Sequence, residues 1–230
     1  MFQSSARIGM RLRESRIRLG MTQEEMAALL GVSQGHYSKL EDGTNAIKYV
    51  YLKKLKALGV DICYLITGEP AIEGVFDAYA NRLSGTDGRR KMVGCFLSVI
   101  ELGTGPEEEE GFPEALRKNL RFLRITDGRP ENLWRFLRWL NGMTQSEMAE
   151  ILGMNLKRYQ RLESGKIMPD SEILFRLYTE LGYSPLIGMD DGEYGVQICN
   201  QAGSYLSAEY REQIPVMLDY TLEVISRSER

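Results

Sequence analysis

Apolar residues fall three and four positions apart along most of the chain, the spacing of amphipathic helices. Ile8, Leu12, Ser15 and Leu19 mark one face of a helix over residues 5–19, ended by Gly20. Thr22 then stands three residues before Glu25, the capping-box spacing, and Met26, Leu29 and Leu30 give the next helix its apolar face, with Ala27 small enough for a close neighbour. Gly31 supplies a left-handed turn, inexpensive only for glycine. Val32 and the cap Ser33 lead into a third helix, residues 34–41, in which only Tyr37 and Leu40 read as inward-facing. A fourth helix over 47–58 turns Val50, Leu52, Leu55 and Leu58 inward. Asp61 opens a short fifth one, expected as a lid on the core.

Beyond residue 70 the same periodicity continues. Ile72, Val75, Phe76, Tyr79 and Leu83 predict one amphipathic helix, Ser84 to Gly88 breaks it, and Met92, Val93, Phe96, Leu97, Val99 and Ile100 predict a second. Residues 103–113, with Gly, Pro and four consecutive Glu, read as an acidic joint. Leu116, Leu120 and Leu123 mark a helix over 115–125. Residues 127–130 form a turn, and residues 131–140 follow with Trp134, Phe136, Leu137, Trp139 and Leu140, read as core or subunit-interface residues. Leu174, Leu177 and Leu181 lie on a helix stopped by Gly182. In the tail, Ser207 caps residues 208–213, and Pro215 starts or kinks a further piece with Met217, Leu218, Leu222 and Ile225. No apolar run approaches the ~20 residues of a membrane span.

One stretch occurs twice. Residues 20–43 and 142–165 align without a gap and agree at 13 of 24 positions, so the architecture is a repeat. The second copy keeps the capping box (Thr144, Glu147), the turn glycine (Gly153), the inward pair (Tyr159, Leu162) and the ending (Glu163, Gly165). Arg138 aligns with Arg16. Leu83-Ser84 and Leu206-Ser207, 123 residues apart and each before an apolar helix, lead to the expectation that the duplication includes the helices after each copy.

A two-turn helix with two inward residues buries little and is marginal alone. Braced by its neighbour, it presents polar side chains, a geometry that fits the DNA major groove. From Leu12 to Gly43, L-R-x-x-R-x-x-x-G-M-T-Q-E-E-M-A-x-L-L-G-V-S-Q-x-x-Y-S-K-L-E-D-G resembles the phage repressor/Cro (XRE-type) helix-turn-helix family, and D-I-C-Y-L-I-T-G-E (61–69) resembles how such domains end. The resemblance implies an all-α fold of two lambda-repressor-like helix-turn-helix domains with additional helices after each. It also implies sequence-specific binding of double-stranded DNA through recognition helices at 33–41 and 155–163. On that basis Gln23 touches a phosphate and supports Gln34, which reads a base. Ser33, Gly35, Ser38 and Lys39 line the face, with Thr44 and Asn45 along the backbone. The second copy offers Gln145, Lys157, Arg158, Gln160, Arg161 and Lys166, with Leu156 where the first has Gln34. Arg158 or Arg161 is open to either guanine reading or phosphate anchoring.

The domains expected are 1–70 (helix-turn-helix), 71–102 (helical, a candidate dimerisation segment), 103–113 (linker), 114–189 (second helix-turn-helix) and 190–230 (helical tail). Composition changes this picture in two ways. The net charge of −3 resolves into +3 over residues 1–70 and +3 over 111–189, against −4 over 71–110 and −5 over 190–230, so the basic segments coincide with the reading domains. Cys63, Cys95 and Cys199 lack metal or disulfide spacing and read as small core residues. The sole histidine, His36, has no catalytic partner nearby, Asp190-Asp191 read as a solvated turn, and no phosphate loop or metal motif is present. No enzyme activity, metal or other cofactor is expected. The expectation is a cytoplasmic, prokaryotic or phage-type transcriptional regulator, most readily a repressor, assembled as a homodimer. The alternative is an antitoxin or anti-repressor whose second repeat binds a protein partner.

Overall fold

The short helices and their glycine-ended turns predicted from the repeat form as expected. In the computed structural model, residues 2–80, 82–83, 85–104, 111–126, 132–189 and 192–228 are described. Most of the acidic joint, the 127–130 turn, Ser84 and Asp190-Asp191 lie outside them. The described residues carry helices and a single isolated β-bridge. The chain divides into two units, each built from two segments: residues 1–71 with 131–189, and 72–130 with 190–230. Both helix-turn-helix repeats thus fall in the first unit.

In the first unit, α1 (Phe2–Arg18), α2 (Gln23–Leu30), α3 (Gln34–Glu41), α4 (Tyr49–Ala57) and α5 (Ile62–Thr67) form the first repeat. Thr22 and Glu25 close the capping box, and Gly31 takes the left-handed conformation at φ 74°. Helix α1 lies directly on the end of α3. A Cβ at Gly9 would sit 2.3 Å from the Glu41 carbonyl oxygen, so glycine is required there. Leu52 and Leu55 are fully buried, whereas Val50 and Leu29, expected inside, are about half exposed. Helix α4 begins two residues later than the periodicity predicts, and Val50, two positions from Leu52 and so about 200° around the helix, lies off the Leu52/Leu55 stripe. In this unit the second repeat supplies α9 (Leu133–Leu140), α10 (Gln145–Ile151), α11 (Leu156–Glu163), α12 (Ser171–Leu181) and a 3-10 turn (Pro185–Gly188). Trp134 and Leu137 are core, but Trp139 is 65% exposed, because its place on the two-turn α9 lies off the stripe holding Trp134 and Leu137.

The repeats pack on one another through equivalent parts. Lys48 and Asp170, 122 residues apart and therefore aligned in the repeat, form the antiparallel β-bridge. The Ser171 N–H donates to the Ile47 carbonyl at 2.9 Å, and the Ile47 N–H donates to Ser171 Oγ at 2.9 Å. Helix α5, expected as a lid, packs against the 3-10 turn that occupies its place in the other repeat, and against α12 and α1. Equivalent residues meeting each other is the signature of a two-fold, isologous interface, here within one chain.

The second unit contains α6 (Asp77–Ala80), α7 (Gly85–Gly103), α8 (Glu114–Thr126), α13 (Glu193–Gly203) and α14 (Ala208–Ser228). Two expectations change. The predicted 72–83 helix shrinks to α6 with Ile72 at the surface, and α14 runs unbroken through Pro215. Helix α13 was not foreseen. Its glycines disguise it, yet they are what lets α7 approach, since a Cβ at Gly195 would lie 2.8 Å from Val93. Its Asn200 accepts from the Phe76 N–H (3.2 Å) and donates to Asp77 (2.8 Å), closing the end of α6. Cys199 is fully buried and Cys63 nearly so, while Cys95 is half-buried; all three are free thiols. Phe112, at the end of the acidic joint, is buried beside Tyr205.

Ser171 is 1% exposed. Ser171→Ala leaves the buried Ile47 N–H without its acceptor and is expected to cost about 1–3 kcal/mol. Urea denaturation against Ser204→Ala, an exposed hydroxyl bonded within its own helix, measures it.

Candidate nucleic-acid interface

Each recognition helix is fixed from behind by a buried ion pair. The Arg16 Nε donates to the Glu41 carboxylate at 2.7 Å, and the same guanidinium donates to the Met21 carbonyl at 2.7 Å. Glu41 is 3% exposed in its side chain. Its other oxygen accepts from Gln23 Nε2 at 2.7 Å. The pattern recurs in the second repeat. Arg138 donates to Glu163 (2.9 Å) and to the Met143 carbonyl (3.1 Å), and Gln145 donates to Glu163. In each copy the first helix, the scaffold helix and the recognition helix are joined at one carboxylate. Burial alone would raise the Glu41 pKa; the hydrogen bonds from Arg16 and Gln23 together outweigh it and hold the carboxyl below its usual range. Burial likewise pushes the Tyr159 hydroxyl up to about 12, and it donates to the Trp134 carbonyl at 3.1 Å.

The outward face of α3 carries exposed Gln34, Gly35 and Lys39 with half-buried Ser38. Ser33 sits at the cap and accepts from the His36 N–H (3.2 Å). Gln23 is half-buried, and its amide oxygen has no protein partner among the described residues. Thr44 is exposed and Asn45 half-buried in the turn that follows. His36 packs edge-on to Tyr51, ring centroids 6.1 Å apart.

The second face differs in what is free. Lys157, Arg161 and Lys166 are exposed. Arg158 instead donates to Asp170 at 2.8 Å, and Asp170 is the cap of α12, accepting from the Glu172 and Ile173 N–H groups. Gln160 donates to the Gln145 amide oxygen at 3.2 Å. Of the two arginines left open by the sequence, Arg158 is engaged in a surface ion pair and Arg161 projects without one among the described residues. Leu156 begins the helix, 41% exposed.

Sequence reading missed the roles of Arg16, Glu41 and their counterparts. The signal was present: Arg16/Arg138, Gln23/Gln145 and Glu41/Glu163 are polar residues kept at the repeat offset while the exposed residues around them differ. Arg11 donates to the Leu65 and Ile66 carbonyls at 3.1 and 2.7 Å and caps α5.

Glu41→Gln strands the Arg16 charge, and a loss of about 3 kcal/mol at neutral pH is expected. A carboxyl depressed by folding contributes stability above its unfolded value, about 4.3. That contribution is lost as pH falls through the lower folded value. Thermal melts from pH 7 to pH 3 should show stability falling below about pH 4 in the parent, and a flatter acid limb in Glu41→Gln.

Residues 12–65 and 135–187 each match the family model described as helix-turn-helix. No curated protein and no solved structure matches the chain. Among the described residues no helix is long and apolar enough to cross a membrane. With the two matches falling on the two repeats, both segments are helix-turn-helix domains of the phage repressor/Cro type, a pair that indicates a DNA-binding regulator.

Proposed function

We propose that the protein is a cytoplasmic transcriptional repressor in which one chain engages two half-sites, occluding promoter DNA with α3 and α11. The observation that carries this reading is the bridge between the equivalent residues Lys48 and Asp170. A two-fold pairing of helix-turn-helix domains mirrors the two-fold symmetry of operator half-sites. Fusing the pair raises the effective concentration of the second domain once the first is bound. Gln34, Ser38 and Lys39, with Ser33, Gly35, Gln23, Thr44 and Asn45 about them, form the first reading surface. Lys157, Arg161 and Lys166, flanked by Arg158, Gln160 and Gln145, form the second.

An interaction role for the second repeat, as in an antitoxin or anti-repressor, is favoured by Trp139, exposed beside Phe136 at 5.6 Å between ring centroids. A long-lived heteromer lost on Trp139→Ala would support it.

Selection from a random DNA pool with the full-length protein supplies the site, and light scattering gives the mass of the complex. One chain per two-part site is expected; two chains would favour the homodimer. Gln34→Ala/Lys39→Ala and Lys157→Ala/Arg161→Ala should each weaken binding, by about 1–3 kcal/mol for a lost base contact. Each should also flatten the salt dependence by about 0.9 per lost phosphate contact. An unchanged affinity and salt slope in the second double variant would show that α11 does not read DNA.

A further inference from the structure

We infer that the two domains read chemically different half-sites. The first takes its base through amide hydrogen bonds, and the second recognises a thymine methyl through Leu156. This rests on the two-domain binding proposed above.

Position by position, the two recognition helices have different groups to spare. Gln34 and Leu156 are the first residues of α3 and α11, aligned in the repeat and both exposed. In the first domain the exposed Gln34 amide and the free Gln23 oxygen offer donors and acceptors. Glutamine pairs bidentately with the N6 and N7 of adenine. In the second domain the counterpart of Gln23 is engaged at both ends of its amide, because Gln160 donates to the Gln145 oxygen and Gln145 donates to Glu163. Ser38, which aligns with Gln160, makes no such bond to Gln23. Arg158 is occupied by its 2.8 Å surface pair with Asp170. What remains at the start of α11 is an isobutyl group, 41% exposed, standing beside Lys157.

A leucine has no hydrogen bond to give a base edge. In the major groove the one apolar feature of a base is the C5-methyl of thymine. Covering that methyl removes apolar surface from water on both partners. Placing Leu156 instead over the polar edge of guanine or cytosine would desolvate donors and acceptors without replacing their bonds. Leu156 therefore selects thymine, while Lys157 and Arg161 supply phosphate neutralisation or guanine contact around it. The operator is consequently a pair of unlike halves: a base fixed by hydrogen bonding in one, a thymine methyl in the other.

The test deletes only the methyl. In the site selected for the full-length protein, each thymine of the second half-site is replaced in turn by deoxyuridine, and affinity is measured for the parent, Leu156→Ala and Leu156→Gln. One position is expected to cost the parent about fourfold, the value for burying a single methyl group, and to cost Leu156→Ala nothing. Reselection with Leu156→Gln should shift that base and leave the Gln34 half-site unchanged. Leu156 is at the surface, so both variants retain the fold, checked by circular dichroism. If the parent binds a two-part site but no thymine is methyl-sensitive, or Leu156→Ala keeps the sensitivity, the inference is overturned while two-domain binding stands. If no two-part site is selected, the underlying reading fails and takes this one with it.

Discussion

A buried carboxylate holds this molecule's recognition surface in place. Glu41 in one repeat and Glu163 in the other each receive an arginine from the helix before and a glutamine from the scaffold helix. A recognition helix of two turns with few inward residues has little apolar surface to fix its rotation. Tyr37 and Leu40 anchor its depth, and the ion pair anchors its angle. A buried pair of this kind adds little net stability compared with apolar packing, so its value lies in geometry. It also determines the orientation of Gln23 and Gln145, side chains that sit at the rim of the reading face.

The helices of the repeat were legible because their ends are chemically marked. Thr22 and Thr144 close capping boxes, and Gly31 ends α2 in the left-handed conformation. Tyr37, Leu40, Tyr159 and Leu162 are buried as their spacing implies. What the pattern could not supply was the assembly of the segments. Linear reading lists the helix-turn-helix domains and the helical segments after them as successive pieces, whereas the structure joins residues 1–71 with 131–189 in one unit and 72–130 with 190–230 in another. The contact responsible, around Ile47–Lys48 and Asp170–Ser171, is a backbone bridge between stretches whose side chains have diverged, so no periodicity announces it. Helix α13 was hidden for a related reason: Gly195 and Gly203 lower helical propensity but permit the close approach of Val93 and Phe76.

At the candidate site, the sequence located the face but not its state of engagement. The exposed positions of α3 and α11 are where the repeat places them. That Arg158 is committed to Asp170, and Gln160 to Gln145, depends on partners many residues away. An unpaired arginine and an ion-paired one look identical in a string of letters, though the latter must give up its partner to turn those donors to a base.

The bridge between Lys48 and Asp170 has a genetic consequence. In a dimer of identical chains every substitution is imposed twice, so a change that suits one side of an interface must be tolerated on the other. Here each side of the pair is encoded separately. A mutation at one position acts once, with half the energetic penalty, and the two domains are free to drift apart while the junction between them is kept. The contrast between Gln34 and Leu156, on scaffolds that still share their arginine, glutamine and buried glutamate, is the record of that freedom.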